Sequence, residues 1–221
     1  YSAGGDGVYR LGPRMADRWA AASMSAGHPG GESPYNLRNI GFAIHVGAYD
    51  TAYNRNGLAN SWKTNLQALQ NQDSEGEQAY RHQVQVHDGL GHWMYNQDSV
   101  AIPFMQGFRR NPWPNQVNWR QSSVTHKRFY WLKNHSPAPG VQVSAIHNNG
   151  VITIDNPSEA KLSLLLSDEL LDLDTTLRVV NKTGVLVFEG IPVRTASVIY
   201  NTLRERGDWR IAASSEVSLA Q

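Results

Sequence analysis

Residues 1–7, YSAGGDG, set a serine among glycines at the head of a segment able to form a helix. A serine followed two residues later by a glycine is half of the G-x-S-x-G elbow. In that motif a strained turn from strand to helix lifts the serine hydroxyl above a sheet, and small neighbours are needed where a side chain would clash. Alone, S-x-G is a weak signal, because both residues are common in loops. The order of apolar runs and polar loops further along the chain gives it weight.

Working outward, residues 7–18 fit a helix, and WAAASMSA (19–26) reads as a buried strand ending in the turn GHPGG. IGFAIHV (40–46) is a second apolar run, closed by GAYD. Leu58, Trp62, Leu66 and Leu69 then recur at helical spacing across 56–72, and YRHQVQVH (80–87) alternates like a strand before breaking at DGLGH. Strands separated by helical lengths predict parallel βαβ units, whose functional groups gather at the carboxyl ends of the strands.

Hydrolases built on this elbow carry the nucleophile, the acid and the histidine in that order along the chain. Asp50 lies just past the strand 40–46, and His92 lies in the glycine-rich loop after 80–87. A serine hydroxyl is a poor nucleophile until a histidine takes its proton, and that imidazole needs a carboxylate to fix its tautomer. Ser2, Asp50 and His92 therefore form a candidate catalytic set, and the backbone N–H of Ala3 is the candidate oxyanion donor. Plainer roles also fit each partner: Asp50 as a helix cap, His92 as a surface loop residue.

Composition closes several other routes. Twenty Lys and Arg against nineteen Asp and Glu leave a charge of +1, with no basic run able to follow a phosphate backbone, so nucleic acid is not an expected partner. The absence of cysteine excludes disulfides, a thiol nucleophile and a thiolate metal site. No apolar stretch reaches the roughly 20 residues of a membrane helix. His82, His87, Asp88 and His92 suggest a metal, but His82 and His87 point to opposite faces of a strand, and neither metal nor cofactor is expected.

Tyr1, His28 and Trp93 are candidate pocket residues, His28 through GHPGG and Trp93 beside His92; turn structure and loop packing are the alternatives. Arg55 suits either a brace for the Asp50 loop or a substrate carboxylate. Trp113, Trp119, Phe129, Tyr130 and Trp131 suit either a stacking surface for sugars or aromatic acyl groups, or a core. Asp168, Asp172 and Asp174 in SDELLDLD read as turn acids, since the glycine and bidentate glutamate of a calcium loop are missing.

Taken together, YSAGGDG, GHPGG, GAYDTAYNRN, GHWM and RRNPWP leading to RFYWL resemble the carboxyl-terminal half of an α/β-hydrolase. The likeness covers roughly residues 1–133 and is nearest to bacterial esterases related to polyhydroxybutyrate depolymerases and to the prolyl-oligopeptidase group. It implies Ser2 as nucleophile, Asp50 as acid and His92 as base. The expected fold class is accordingly α/β: a partial parallel sheet of α/β-hydrolase type in 1–135, a linker at 136–140 within NHSPAPG, and a β-rich domain with one helix in 141–221. In that second part 141–147, 150–155, 161–166, 176–181, 185–189 and 211–219 read as strands and 195–206 as a helix.

The resemblance implies an esterase on a small-molecule or polymeric ester, with a serine peptidase or a non-catalytic carbohydrate- or protein-binding module as alternatives. It also implies that the first strands and the second oxyanion donor precede Tyr1. As a fragment the chain is expected to be inactive alone and to need the missing half of its domain, since a stripped parallel sheet exposes an unpaired edge. Compartment stays open between secreted, periplasmic and cytoplasmic.

Overall fold

The structure, a computed structural model, describes residues 1–219. Two compact units divide the chain, residues 1–111 and 112–221.

In the first unit, α1 (Ala3–Arg14) leads into β1 (Ala21–Ser25), β2 (Gly41–Gly47), α2 (Arg55–Gln72), β3 (His82–His87) and the short α3 (Ala101–Gln106). The three strands pair in parallel in the order β1-β2-β3, with Ser25 opposite His45 and Gly47 opposite His87. Every residue of β2 is buried, as a central parallel strand covered on both faces requires. α1 turns Gly5, Tyr9 and Gly12 inward, spaced as one helical face. A Cβ on Gly12 would lie 2.7 Å from the Phe42 ring, so the glycine lets helix and sheet approach. Ala59, Trp62 and Leu66 form the buried face of α2, and Trp62 meets Tyr9 edge-on at 4.5 Å between centroids. β1, β2, α2 and β3 fall on the segments read as strands and helix, whereas α1 begins and ends four residues before the expected 7–18, and Leu58 and Leu69 sit at the margin of the buried stripe rather than within it.

The second unit is almost wholly β. It comprises β4 (Gln116–Arg120), β5 (Arg128–Phe129), β6 (Leu132–Asn134), β7 (Gln142–Asn148), β8 (Val151–Asp155), β9 (Leu162–Leu166), β10 (Leu177–Asn181), β11 (Leu186–Gly190), α4 (Ala196–Arg206) and β12 (Ser215–Ser218). A five-stranded mixed sheet runs β11-β10-β8-β7-β4, and a four-stranded antiparallel sheet runs β12-β9-β6-β5. Trp119 of the first stacks at 5.7 Å on Phe129 of the second.

The expected fold class is overturned. Among the described residues there are twelve strands in three sheets and only four α-helices, a β-rich arrangement and not the parallel-sheet layout of an α/β-hydrolase. All-parallel pairing is confined to β1, β2 and β3. The physical reason lies in residues 112–134, read as the end of an α/β unit. There β4 pairs with β7 and β6 with β9, so this stretch completes the β sheets of the second unit. The division falls at 111/112, inside RRNPWP, and not within 136–140.

The aromatic cluster Trp113, Trp119, Phe129, Tyr130 and Trp131 is buried throughout and forms core, not a stacking surface. Trp131 is fully enclosed and donates its indole N–H to the Pro114 carbonyl at 2.8 Å. Of the three aspartates in 167–174, Asp168 and Asp174 pair with Arg194, while Asp172 accepts from the Asp174 backbone N–H.

Candidate active site

Parallel pairing brings the carboxyl ends of β1, β2 and β3 to one side of the sheet, and the ladder continues past them. The Ser2 N–H donates to the Ser25 carbonyl at 2.9 Å, Ala26 N–H to His45 at 2.8 Å, and Ala48 N–H to His87 at 2.9 Å. Ser2, the Asp50 loop and the His92 loop are thereby fixed to adjacent strand ends.

Ser2 caps α1 with φ 55° and ψ −123°, a backbone that L-residues seldom adopt. The crowding that accompanies this turn falls on Gly5, not on the Gly4 of S-x-G. A Cβ on Gly4 would meet nothing within 4 Å, whereas one on Gly5 would lie 2.6 Å from the Ser25 carbonyl oxygen and 3.0 Å from Gly27 Cα. Gly27 is equally tight, its would-be Cβ 2.4 Å from the Gly5 carbonyl carbon. Two glycine backbones thus touch where α1 leaves the turn.

The Ser2 hydroxyl lies 3.0 Å from His92 Nε2, and His92 Nδ1 lies 2.8 Å from Asp50 Oδ2. With Nδ1 protonated the imidazole donates to the carboxylate, and Nε2 is left to accept from the hydroxyl. Asp50 is buried. Its second oxygen accepts from Arg55 Nη1 at 3.1 Å, and the Arg55 guanidinium rests over the Tyr53 ring at 4.9 Å. Asn56 braces the same loop by donating from Nδ2 to the Ala48 carbonyl at 2.9 Å. Of the two roles open to Arg55 in the sequence, the structure engages it with Asp50.

Gly47 sets the distance between the Asp50 and His92 loops. A Cβ there would fall 2.0 Å from the Gly91 carbonyl oxygen, so only glycine lets the residue before His92 come this near to β2. Ala3 is the first residue of α1, and its N–H has no acceptor within the helix. The positive end of the helix dipole lies at the same point.

The other candidates take varied places. Tyr1 covers His92 at 5.4 Å between ring centroids and donates its hydroxyl to the His92 carbonyl. Burial, then the nearby charge of Asp50, pushes its phenol pKa up, so Tyr1 stays a neutral donor. Trp93 is exposed and meets Tyr1 edge-on at 5.5 Å, while Met94 turns into the core. His28 ties its turn to α1: its N–H donates to Asp6 Oδ1 at 2.7 Å, and within the turn its Nδ1 accepts from the Gly30 N–H at 3.0 Å. His82 bonds the Tyr80 carbonyl, and His87 faces His45.

That last pair had no sequence signal beyond the two histidines themselves. His45 Nδ1 and His87 Nε2 stand 3.1 Å apart, both rings buried beneath the strand ends. Burial first, and then repulsion from His87, holds the His45 imidazole below the usual histidine range, against the opposing pull of Asp98 and Gln83. The register Ser25 to His45 and Gly47 to His87 would have predicted the meeting, had the pairing been known.

No protein family, no curated protein and no solved structure was found to match the chain. Among the described residues no helix is long and apolar enough to cross a membrane.

Proposed function

We propose that the protein is a serine hydrolase that cleaves a carboxylic ester through an acyl-enzyme. The observation that carries this reading is the continuous chain from Ser2 Oγ through His92 to Asp50, at 3.0 and 2.8 Å, with Ser2 held in a rare backbone conformation. A serine, histidine and aspartate at these distances form the constellation that activates a hydroxyl at neutral pH.

Ser2 Oγ attacks the ester carbonyl carbon as its proton passes to His92 Nε2. The developing oxyanion lies by the Ala3 N–H and the positive end of α1. Collapse of the tetrahedral adduct breaks the bond to the alcohol, which leaves with the proton from Nε2. Water then attacks the acyl group on Ser2, His92 takes its proton, and the carboxylic acid departs as the Ser2 hydroxyl is restored. Asp50 holds Nδ1–H and offsets the imidazolium charge, while Arg55 keeps Asp50 from rotating away. No step calls for a cofactor.

Hydrolysis of p-nitrophenyl acetate by the protein at its full natural length tests the reading. Ser2→Ala and His92→Ala should each lower kcat by about 10^4 or more, and the double variant should lose little beyond either alone, because the residues act as a unit. Equal rates for wild type and Ser2→Ala would exclude it.

A further inference from the structure

The buried Trp and Tyr cluster of the second unit cannot stack on a ligand, but the first unit has aromatics that can. Tyr1, Tyr49, Tyr53, Trp93 and Tyr95 are 44, 71, 76, 52 and 71% exposed, and all five lie on the three segments that carry Ser2, Asp50 and His92. Exposed aromatics are ordinary when scattered singly; gathered in one place they mark a binding surface.

Three of them form a continuous strip. Tyr1 meets Trp93 at 5.5 Å and 75°, and Trp93 meets Tyr95 at 6.4 Å and 68°, so each ring turns its edge to the next. Tyr1 at the near end lies against His92. The strip is held stiffly: the Tyr1 hydroxyl is bound to the His92 carbonyl, and Tyr95 and Asn96 both take positive φ, 50° and 64°. A non-glycine pair in the left-handed region costs free energy that only surrounding structure offsets. Arg55, on the Asp50 loop, is occupied by Asp50 and Tyr53, and the three side chains of the strip carry no charge, so it presents ring faces and edges.

We propose that Tyr1, Trp93 and Tyr95 form a binding strip for an uncharged planar aromatic ring on the acyl side of the ester, placing its carbonyl at Ser2. Rings alternating edge and face offer a flat ring both π contact and edge contact, which a saturated ring of the same size cannot match. The position of the strip at Ser2 rests on the hydrolase reading; its preference for a flat ring does not.

The test compares methyl benzoate with methyl cyclohexanecarboxylate, each rate divided by its alkaline hydrolysis rate to remove intrinsic reactivity. The expected kcat/KM preference for the aromatic ester is about tenfold, the size of one or two ring contacts, falling to near unity in Trp93→Ala/Tyr95→Ala. Both side chains are exposed, so the variant should keep the thermal stability of the wild type. A preference that is absent, or that survives both substitutions, overturns the proposal.

Binding to Ser2→Ala, read by saturation-transfer NMR on the methyl benzoate ring protons, separates this failure from failure of the hydrolase reading. Signal transfer that disappears when Trp93 and Tyr95 are also replaced supports the strip even if no ester is turned over. No transfer, or stronger transfer to cellotriose than to methyl benzoate, overturns it.

Discussion

Gly5 and Gly7 lie two residues apart in α1, and the same substitution at each should move stability in opposite directions. A Cβ at Gly5 would sit 2.6 Å from the Ser25 carbonyl oxygen and about as close to the Gly27 backbone, whereas one at Gly7 meets nothing within 4 Å. Alanine gains about 0.5–1 kcal/mol over glycine in a helix interior, which is the full effect expected for Gly7→Ala. At Gly5 the same gain is opposed by overpacking against backbone that has nowhere to move, about 3 kcal/mol at the upper end of such costs, leaving a net loss of about 2 kcal/mol. For a unit of this size that is a fall of roughly 8 °C in Tm for Gly5→Ala against a rise of roughly 2–4 °C for Gly7→Ala. Thermal unfolding followed by circular dichroism reads both. Because Ser2 N–H is bonded to the same Ser25 carbonyl, Gly5→Ala should also slow acylation of Ser2. Equal Tm shifts for the two variants would refute the claim that α1 leaves its turn by a glycine-to-glycine contact.

Trp131→Ala should cost about 3–5 kcal/mol, since the indole is fully buried and its N–H is bonded to Pro114; chemical denaturation would show the second unit losing stability first. Lowering the pH should destabilise the first unit through His45. Its imidazole is held neutral in the fold, below the value of about 6.5 that it has unfolded, so this contribution is intact above pH 6.5 and fades as the pH falls below it. Tm measured from pH 8 to 5 should drop, and the drop should be shallower in His45→Gln; an unchanged slope would remove His45 from the explanation.

Ser2 was legible from its S-x-G setting, and Asp50 and His92 from the strand-like runs before them that end in GAYD and DGLGH, signals that survive in a single sequence. What could not be read were the contacts that hold them. Gly4 and Gly5 look alike in sequence, and only the approach of Ser25 and Gly27 makes one of them irreplaceable. His45 and His87 meet through strand register, which depends on pairing between segments about forty residues apart.

The fold class failed for a related reason. Residues 112–134 carry strands of two to five residues that follow Pro114 and are parted by turns, too short for periodicity to register. Their partners, β7 and β9, come later in the chain. NHSPAPG was read as the boundary from its prolines and glycine, while RRNPWP was read as part of the first domain; the division at 111/112 is set by sheet pairing. Aromatic residues misled in the same way, because a strand that buries Trp119 and one that exposes it have similar compositions.

The most direct measurement is covalent capture. A fluorophosphonate probe reacts only with a serine whose proton has an acceptor, so incubation at pH 7.5 and then peptide mass spectrometry should find one phosphonyl group per chain, on Ser2, and none after His92→Ala. Adduct on another serine, or no adduct on folded protein at its full natural length, would contradict the account.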